Sequence, residues 1–306
     1  MIAFPNAKVN IGLNVLSKRP DGYHNIETLF YPVLLQDALE ITLMRPLDPA
    51  QIRKRIEAGF MVQSEEIFSN RPQRRRREEI SCCSLEMTGN TFPFHAADNL
   101  VVKAYLMLLE DFDLPSIDIR LYKHIPSSAG LGGGSSDGAF MISLLNRRFN
   151  LRMRDSMMMK YAARLGSDCP FFILNVPSLA AGRGEILTPI SLSLRGYNIL
   201  LVKPDISVST ARAYSEVTPC TPQIPLAEAI KRPVSEWRDC VFNDFESGVF
   251  KRYPLLAEIK ERLYKLGAEY ASMSGSGSTI FGLFRTPLKN EAELFPDMFV
   301  CQREMA

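Results

Sequence analysis

A glycine-rich stretch, Pro126–Asp137, is the feature that most restricts what this chain can fold into. It reads Pro-Ser-Ser-Ala-Gly-Leu-Gly-Gly-Gly-Ser-Ser-Asp, with a strand-like segment before it and an apolar, helical segment after it. Glycine tolerates positive φ and lets other atoms approach the backbone, so successive N–H groups can converge on an anion. A helix that begins there adds its unpaired first-turn amides and its dipole. The stretch therefore predicts a phosphate-binding loop at a helix N-terminus.

Two common phosphate-binding motifs do not fit this stretch. No lysine follows the glycines, so G-x-x-x-x-G-K-[ST] is absent, and no G-x-G-x-x-G can be drawn through it. A flexible linker or plain tight turn is the alternative without function. Linkers seldom lie between a strand and an apolar helix, and Asp137 at the helix start is an acid that a linker does not need. We therefore predict a loop for ATP, in which the hydroxyls of Ser135 and Ser136 reach a phosphate or Mg²⁺.

Strand and helix patterns fill most of the remaining chain. In the first, apolar residues at positions 9, 11, 13 and 15 alternate with polar residues and glycine at positions 8, 10, 12 and 14. This alternation predicts a strand with one buried face and one polar face. Further strands are predicted at residues 26–34, 38–43, 117–121, 199–202 and 279–284. Helices are predicted at residues 51–60, 98–109 (with Asp98 as N-cap), 139–149, 155–165, 210–217 and 255–266.

Length and composition indicate an ordinary globular protein. The 306 residues, 46% of them hydrophobic and 23% charged, favour two domains, which we predict at residues 1–160 and 161–306. The net charge of +2 gives no global reason to expect a nucleic-acid or membrane partner. We expect no secretory signal, no membrane span and a cytoplasmic protein. The six cysteines form no C-x-x-C pair, so reduced structural thiols are expected and a metal site of protein ligands is not.

Residues 46–80 differ from the rest and are interpreted as an insertion between strands. The segment ends in an arginine run, Arg74–Arg77, followed at once by two glutamates. A solvated loop face is the common explanation for such a run, and contact with phosphate or RNA is the alternative.

The glycine-rich stretch resembles the phosphate-binding motif of the GHMP kinases, which include galactokinase and the homoserine, mevalonate and phosphomevalonate kinases. Pro5–Asn10 resembles the opening strand of that family. Arg19–His24 is similar to a segment of the family branch that acts on a cytidine diphosphate-linked methylerythritol. Four further segments occur in the order that this branch shows: Gly166–Phe171, Gly182–Pro189, Phe242–Glu246 and Ser274–Thr279. The resemblance covers most of the chain outside residues 46–80.

The resemblance implies a fold and an activity. The fold is α+β, with an N-terminal domain like domain 2 of ribosomal protein S5 and a ferredoxin-like C-terminal domain. The activity is transfer of a phosphoryl group from ATP, with Mg²⁺, to the 2-hydroxyl of 4-diphosphocytidyl-2-C-methyl-D-erythritol in non-mevalonate isoprenoid precursor biosynthesis. It implies a small-molecule substrate, no nucleic-acid or membrane partner, and a monomer or weak homodimer.

The resemblance also implies residue roles. Asp137 is the expected general base, because a carboxylate beside the phosphate loop can accept the hydroxyl proton. Lys8 is expected to offset charge on the moving phosphoryl group, and Asn10 to bind substrate hydroxyls. Tyr23 offers a stacking face for cytosine and His24 reads its hydrogen-bonding edge.

Weaker assignments complete the predicted site. Asp168 and Pro170 match a segment that approaches the substrate, and Ser274–Thr279 is a turn expected to close against the site. Leu179 stands where some family members carry a second stacking aromatic, so a two-sided aromatic sandwich is not expected. The predicted ATP-binding residues are Asn99, Lys123, Pro126, Ser127, Ser128, Ala129, Gly130, Leu131, Gly132, Gly133, Gly134, Ser135 and Ser136.

Two other functions remain open from the sequence. Another GHMP kinase, acting on a sugar, homoserine or a mevalonate-type alcohol, would carry the same glycine loop, and only the Tyr23-His24 segment argues for a cytidine nucleotide. An RNA-binding protein would explain Arg74–Arg77 and predicts salt-sensitive RNA affinity without ATP turnover.

Overall fold

The computed structural model describes residues 1–45, 47–63, 82–90 and 95–305. Within these residues the chain forms two compact units, and neither is continuous in sequence. Unit 1 comprises Met1–Pro5, Gln36–Ile125 and Gly133–Leu174, and unit 2 comprises Asn6–Leu35, Pro126–Gly132 and Asn175–Ala306. The division at residues 160 and 161 concerns sequence domains and stays a prediction.

Strands and helices occur largely in runs along the described residues, which is typical of an α+β chain. The strands are β1 (Ile2–Ala3), β2 (Asn6–Lys18), β3 (His24–Gln36), β4 (Ala38–Leu43), β5 (Met61–Gln63), β6 (Cys82–Gly89), β7 (Ile117–Lys123), β8 (Ser178–Ala181), β9 (Ile186–Pro189), β10 (Asn198–Lys203), β11 (Tyr270–Met273), β12 (Ile280–Phe284) and β13 (Phe299–Glu304). The α-helices are α1 (Pro49–Glu57), α2 (Leu100–Leu109), α3 (Gly133–Arg148), α4 (Asp155–Leu165), α5 (Cys169–Leu174), α6 (Thr210–Glu216), α7 (Leu226–Ala229), α8 (Glu246–Arg252), α9 (Pro254–Lys265) and α10 (Glu291–Leu294).

Unit 1 is built on a sheet with the strand order β1-β4-β7-β6-β5. Strands β6 and β7 are parallel, and the other neighbours are antiparallel. Helix α3 packs against α2, α4 and α5, and its buried residues include Met141, Ile142, Leu144 and Leu145. In sequence, β7 ends just before the glycine-rich stretch, and α3 begins within it.

The start of two helices differs from the sequence prediction. Helix α2 is capped by Asn99, whose Oδ1 accepts from the Val101 N–H at 3.0 Å, and not by Asp98. Asp98 instead ends a short 3-10 turn over Ala96–Asp98. Helix α3 begins at Gly133, six residues before the predicted start, because the apolar pattern used for the prediction begins only at Ala139. The first helical turn therefore includes the last two glycines.

Unit 2 contains two sheets, with the strand orders β2-β3-β8-β9 and β11-β12-β10-β13. One apolar core joins residues from the early and late parts of the chain. Leu13, Val15 and Ile26 pack with residues of β10, β11 and β12 and with the apolar face of α9. The late part of the chain therefore shares its core with the β2–β3 hairpin.

Strand β2 is confirmed, and both of its faces are buried over its first ten residues. Residues 6–15 are all buried, including the polar side chains of Asn6, Lys8, Asn10 and Asn14. Buried polar groups need hydrogen-bond partners, since an unpaired one costs about 1–3 kcal/mol. The alternation in the sequence predicted which side chains share the polar face. Their burial, which only the structure shows, makes this face a candidate functional site.

Most other predicted elements are confirmed to within a few residues. Strand β4 and helix α4 have the predicted limits, and α1, α6, α9, β7, β10 and β12 overlap their predictions. The cysteines among the described residues are free thiols. No described helix has the length and apolar character to span a bilayer. Arg74–Arg77 and most of the predicted insertion lie outside the described residues.

Candidate active site

The predicted site residues divide between the two units. Unit 1 contains Asn99, Lys123, Asp168, Pro170 and the second half of the loop with Asp137. Unit 2 contains Lys8, Asn10, Tyr23, His24 and the first half of the loop, up to Gly132.

A buried ion cluster lies at the start of α3 in unit 1. The Lys123 ammonium contacts Asp137 Oδ2 at 2.6 Å and also forms an ion pair with Asp37. Asp37 Oδ1 accepts from the backbone N–H groups of His124 and Ile125, at 2.6 and 2.8 Å. All three charged side chains are at most 8% exposed. The cluster fixes Asp137 directly behind the glycine loop, so Lys123 bonds to acids rather than pointing freely toward solvent.

The pKa values of Asp137 and Lys123 depend on their burial and on the neighbouring charges. Burial raises the pKa of Asp137 to about 8; the Lys123 ammonium opposes the rise and the Asp37 carboxylate adds to it. Burial alone would lower the pKa of Lys123, but Asp137 and Asp37 together raise it. Lys123 therefore stays charged, and its ammonium is the group that stabilises the Asp137 carboxylate against the effect of burial.

Two oxygen atoms in the first turn of α3 have no hydrogen-bond partner among the described residues. They are Ser136 Oγ and Asp137 Oδ1, and both are shielded from solvent. Most buried polar atoms in proteins are paired. An unpaired hydroxyl beside a glycine-rich helix start is the type of group that a phosphate or a hydrated metal ion satisfies.

Asp168 and Asn99 have different environments in the same unit. Asp168 immediately precedes α5 and is half-exposed, so its carboxylate is more accessible than that of Asp137. Asn99 is occupied as the α2 cap, and its Nδ2 lies 3.7 Å from Met87 Sδ. Its predicted position near adenine stays a prediction, and capping is a sufficient structural reason for an asparagine there. Pro170, in α5, is buried.

Lys8 is held by a polar network in unit 2. Its ammonium contacts Asn10 Oδ1, donates to the Gly130 carbonyl at 3.1 Å and lies 5.1 Å from the centre of the Phe30 ring. Asn10 Nδ2 donates to Thr28 Oγ1 at 2.9 Å, and Thr28 donates to the Gly12 carbonyl at 2.6 Å. The network places a cation beside the first half of the glycine loop and fixes its position.

The turn at Ser274–Thr279 supports this half of the loop. Ser274 Oγ donates to the Gly130 carbonyl at 2.8 Å, and the Thr279 N–H donates to the Ala129 carbonyl at 3.2 Å. Gly130 has a φ of 73°, and a Cβ there would lie 2.0 Å from the Ser274 carbonyl oxygen. Only glycine fits at this approach. The sequence singled out both segments, and the structure brings them together.

Tyr23 and His24 lie at the start of β3 among other aromatic and basic groups. Tyr23 is 55% exposed, with the Arg183 guanidinium 4.9 Å from its ring centre. His24 stacks on Tyr214, with ring centroids 4.9 Å apart and an angle of 17° between the planes. Burial lowers the pKa of His24, and the nearby Lys18 lowers it further. A neutral imidazole, which can donate and accept, is favoured.

Leu179 does not lie beside this aromatic group. It pairs with Leu29 in the sheet, five residues along β3 from His24, or about 16 Å at roughly 3.3 Å per residue. Leu179 therefore lies away from His24, and the absence of a two-sided aromatic sandwich stays a prediction. Tyr214 in α6 provides a second ring beside His24, at a position that the sequence analysis did not single out.

Asp37, Thr28 and Tyr214 are the site residues that sequence reasoning missed. Asp37 follows β3 directly, where an acid is also a common turn residue. Thr28 falls within an apolar strand, and its bond to Asn10 spans 18 positions in sequence. Nothing local distinguishes either one. Tyr214 is the aromatic residue of the predicted helix at residues 210–217. Its aromatic side chain was the one signal in the sequence that could have suggested it.

Comparisons with known proteins identify the family of this chain. The family model for the GHMP kinase N-terminal domain matches residues 99–175, and that for the C-terminal domain matches residues 226–295. A 4-diphosphocytidyl-2-C-methyl-D-erythritol kinase of Bacteroides fragilis is 49% identical over 305 residues, covering 100% of both chains. The chain belongs to the GHMP kinase family. A kinase of the same name from Bacteroides thetaiotaomicron is 50% identical over 93% of this chain and 92% of its own.

A solved GHMP kinase structure supports the fold assignment. The crystal structure of a 4-(cytidine 5'-diphospho)-2C-methyl-D-erythritol kinase aligns with a TM-score of 0.75 and 28% identity, covering 99% of this chain and 98% of that one. The predicted two-part α+β fold of a GHMP kinase is thereby confirmed. As a GHMP kinase, the protein is a phosphotransferase that uses ATP as its co-substrate.

Proposed function

We propose that this GHMP kinase transfers a phosphoryl group from ATP to the 2-hydroxyl of 4-diphosphocytidyl-2-C-methyl-D-erythritol, in non-mevalonate isoprenoid precursor biosynthesis. One observation carries the proposal: relatives with this substrate in their names are 49 and 50% identical over at least 92% of both chains. The aromatic and basic groups around Tyr23 and His24 give that substrate preference a physical basis in the present chain.

The glycine loop is proposed to hold the ATP phosphates. Helix α3 begins at Gly133, so the free amides of its first turn and the helix dipole favour an anion there. A Cβ on Gly134 would meet nothing within 4 Å, which leaves room for a phosphate close to the backbone. Lys8, fixed beside the first half of the loop, is proposed to offset charge on the transferred phosphoryl group.

The residues present also fit a Mg²⁺ ion bound together with ATP. No group of three or more His, Cys, Asp or Glu side chains among the described residues is arranged to hold a metal. Mg²⁺ commonly needs only one or two protein ligands besides phosphate oxygens and water. Ser135, which is partly exposed in the first turn of α3, offers the proposed ligand hydroxyl. When bound, the ion neutralises charge on the phosphates; the protein's contribution is to position the hydroxyl.

Two carboxylates of unit 1 are candidates for accepting the substrate proton. The sequence favours Asp137, but its Oδ2 is bound to Lys123 and its Oδ1 is inaccessible. A general base must come within about 2.6–3.2 Å of the hydroxyl oxygen or act through one water. Asp168 is half-exposed, and this accessibility supports Asp168 as the base. Asp137 then has an electrostatic role, since it fixes Lys123 behind the phosphate loop.

The cytidine part of the substrate is proposed to bind around Tyr23 and His24. The exposed ring of Tyr23 offers a stacking face, and Tyr214 orients the His24 imidazole, whose neutral form can pair with a cytosine edge. Arg183, above Tyr23, is a suitable partner for the diphosphate. Asn10 is proposed to bind a substrate hydroxyl through its network with Thr28.

We further propose that the protein works in the cytoplasm, as a monomer or weak homodimer, without nucleic-acid or membrane partners. The net charge of +2 supports this view, because a nucleic-acid-binding protein usually carries a marked positive excess.

A substrate comparison tests the proposed function. Purified protein is given ATP and Mg²⁺ with diphosphocytidyl-methylerythritol, mevalonate or homoserine, and ADP release is measured; NMR then locates the new phosphate on the product. We expect turnover with the cytidine compound alone, at its 2-hydroxyl. Tyr214→Ala should raise the KM for this compound but not for ATP, and Tyr214→Phe should preserve both.

Other outcomes would favour the alternatives. Comparable kcat/KM for mevalonate or homoserine would assign the chain to another branch of the GHMP kinases. No turnover, together with RNA affinity that falls steeply with salt, would support the RNA-binding alternative.

A further inference from the structure

Unit 2 contains a cavity of about 700 Å³ that the proposed reaction does not use. It is bounded by the segment Ile190–Arg195, the chain from Ala227 to Trp237, and Arg285. A volume of this size is within the range for small-molecule sites and is too small for a folded partner. Any occupant is therefore expected to be a small molecule.

The cavity is separate from the residues proposed to bind cytidine. Leu179 is the lining residue on β8, and its pairing with Leu29 places it about 16 Å along the sheet from His24. Tyr23, His24, Arg183 and Tyr214 do not line the cavity. A ligand here would not occupy the proposed nucleoside site.

The inner wall of the cavity is apolar. Trp237 is fully buried, and Leu194, Tyr197 and Val234 are also buried. Trp237 is held in place by its Nε1, which donates to the Arg232 carbonyl at 2.9 Å, and by edge contact with Tyr270. In front of these buried residues, Leu179, Ile190 and Leu192 line the cavity and are partly exposed. Their apolar surface suits a hydrocarbon chain, at about 25 cal/mol per Å² of apolar surface removed from water.

Among the described residues, the charged ones that line the cavity are all cations. Arg195, Lys231, Arg232 and Arg285 line it, and no aspartate or glutamate does so among the residues that the structure describes. Arg285 pairs with Glu269 and Lys231 with Glu228. Arg195 and Arg232 have no carboxylate within ion-pair distance in the described part of the chain. The cavity therefore combines an apolar wall with two arginines available to an anion.

We propose that this cavity binds an amphipathic anion, with an apolar chain that ends in a phosphate or diphosphate. The chain lies against Leu179, Ile190 and Leu192, in front of the buried Trp237. The guanidinium groups of Arg195 and Arg232 bind the phosphate oxygens. Arginine suits this role, because its planar donors can bind phosphate through two parallel hydrogen bonds.

Trp237 allows a direct test, since it is the only tryptophan of the chain. Its fluorescence is followed while geranyl diphosphate is added to the full chain at submicellar concentration, with an ATP analogue and cytidine diphosphate present at saturation. We expect a saturable change in emission. Geraniol has the apolar chain without the diphosphate, and inorganic diphosphate has the anion without the chain. Each should bind at least about tenfold more weakly.

Charge variants locate the binding site. Arg195→Gln and Arg232→Gln should each weaken binding of geranyl diphosphate at least about tenfold, as expected for loss of a charged hydrogen bond. Arg262→Gln, which removes an exposed arginine of the same unit outside the cavity, should leave binding unchanged. Thermal melting confirms that each variant is folded.

Three results would overturn the proposal. They are a flat emission signal with geranyl diphosphate, equal affinity for geraniol or inorganic diphosphate, and unchanged affinity in both cavity variants. None of these results bears on the kinase assignment, because turnover of the cytidine substrate is measured separately.

Discussion

Lys123 connects the start of α3 to a second buried acid. Its ammonium contacts two acids, Asp37 and Asp137, in a cluster with little solvent access. Removing one partner from a buried ion pair typically costs about 3–5 kcal/mol, because the other charge is left without compensation. Asp37 therefore anchors Lys123, and Lys123 anchors the first turn of α3.

Substitution of Asp168 and Asp137, the two candidate bases, distinguishes a role in catalysis from a role in stability. Asp168→Asn should lower kcat on the order of a hundredfold or more, with little change in the affinity for ATP or in Tm, because a half-exposed base is lost but no buried charge is exposed. Asp137→Asn should mainly lower Tm, because the buried cluster loses a charge. Steady-state kinetics and thermal melting of both variants make the comparison. The reverse pattern, with kcat lost only in Asp137→Asn, would restore the original assignment from the sequence.

Residues of the site were predictable where the signal was local. Lys8 and Asn10 stand out because they alternate with apolar residues in a strand, and the glycine loop because of its composition. Asp37 and Tyr214 do not, since Asp37 meets Lys123 across 86 positions and Tyr214 meets His24 across more than twice that separation. Such contacts depend on the tertiary fold, which no window of sequence contains.

At the level of elements, the glycine-rich stretch combines two physical demands. Gly130 needs a positive φ and lies against the Ser274 carbonyl, so it serves packing. Gly134 lies in the first turn of α3 and faces open space, so it serves ligand access. The sequence shows four similar glycines, and only the backbone geometry separates these roles.

Alanine substitutions at these two glycines should have opposite consequences. Gly130→Ala should lower Tm markedly and abolish activity, since its Cβ would lie 2.0 Å from a carbonyl oxygen. Gly134→Ala should keep or slightly raise Tm, because alanine is better in a helix by up to about 1 kcal/mol. It should still raise the KM for ATP, because its methyl group occupies the space proposed for a phosphate. Melting curves and ATP titrations would contradict this division if Gly134→Ala bound ATP normally.

At the level of the whole molecule, the order of segments along the chain does not match their grouping in space. Unit 2 takes residues 6–35 and 126–132 from the early part of the chain. The sequence predicted most strands and helices, because periodicity is local. It could not predict this interleaving, because β3 and β8 pair across about 150 positions and neither strand signals its partner.

The interleaving makes a prediction about the division at residue 160. A fragment of residues 161–306 lacks β2 and β3, so it loses half of one sheet and the core side chains of Leu13, Val15 and Ile26. Each such side chain contributes about 1.5–3 kcal/mol when buried, against a total stability of about 5–15 kcal/mol for a typical domain. We therefore expect no cooperative melting by circular dichroism and rapid proteolysis of the fragment. A control chain that joins residues 6–35 to residues 175–306 through a Gly/Ser linker restores both strands and should melt cooperatively. Cooperative melting of residues 161–306 alone would mean that the late part of the chain folds without the β2–β3 hairpin.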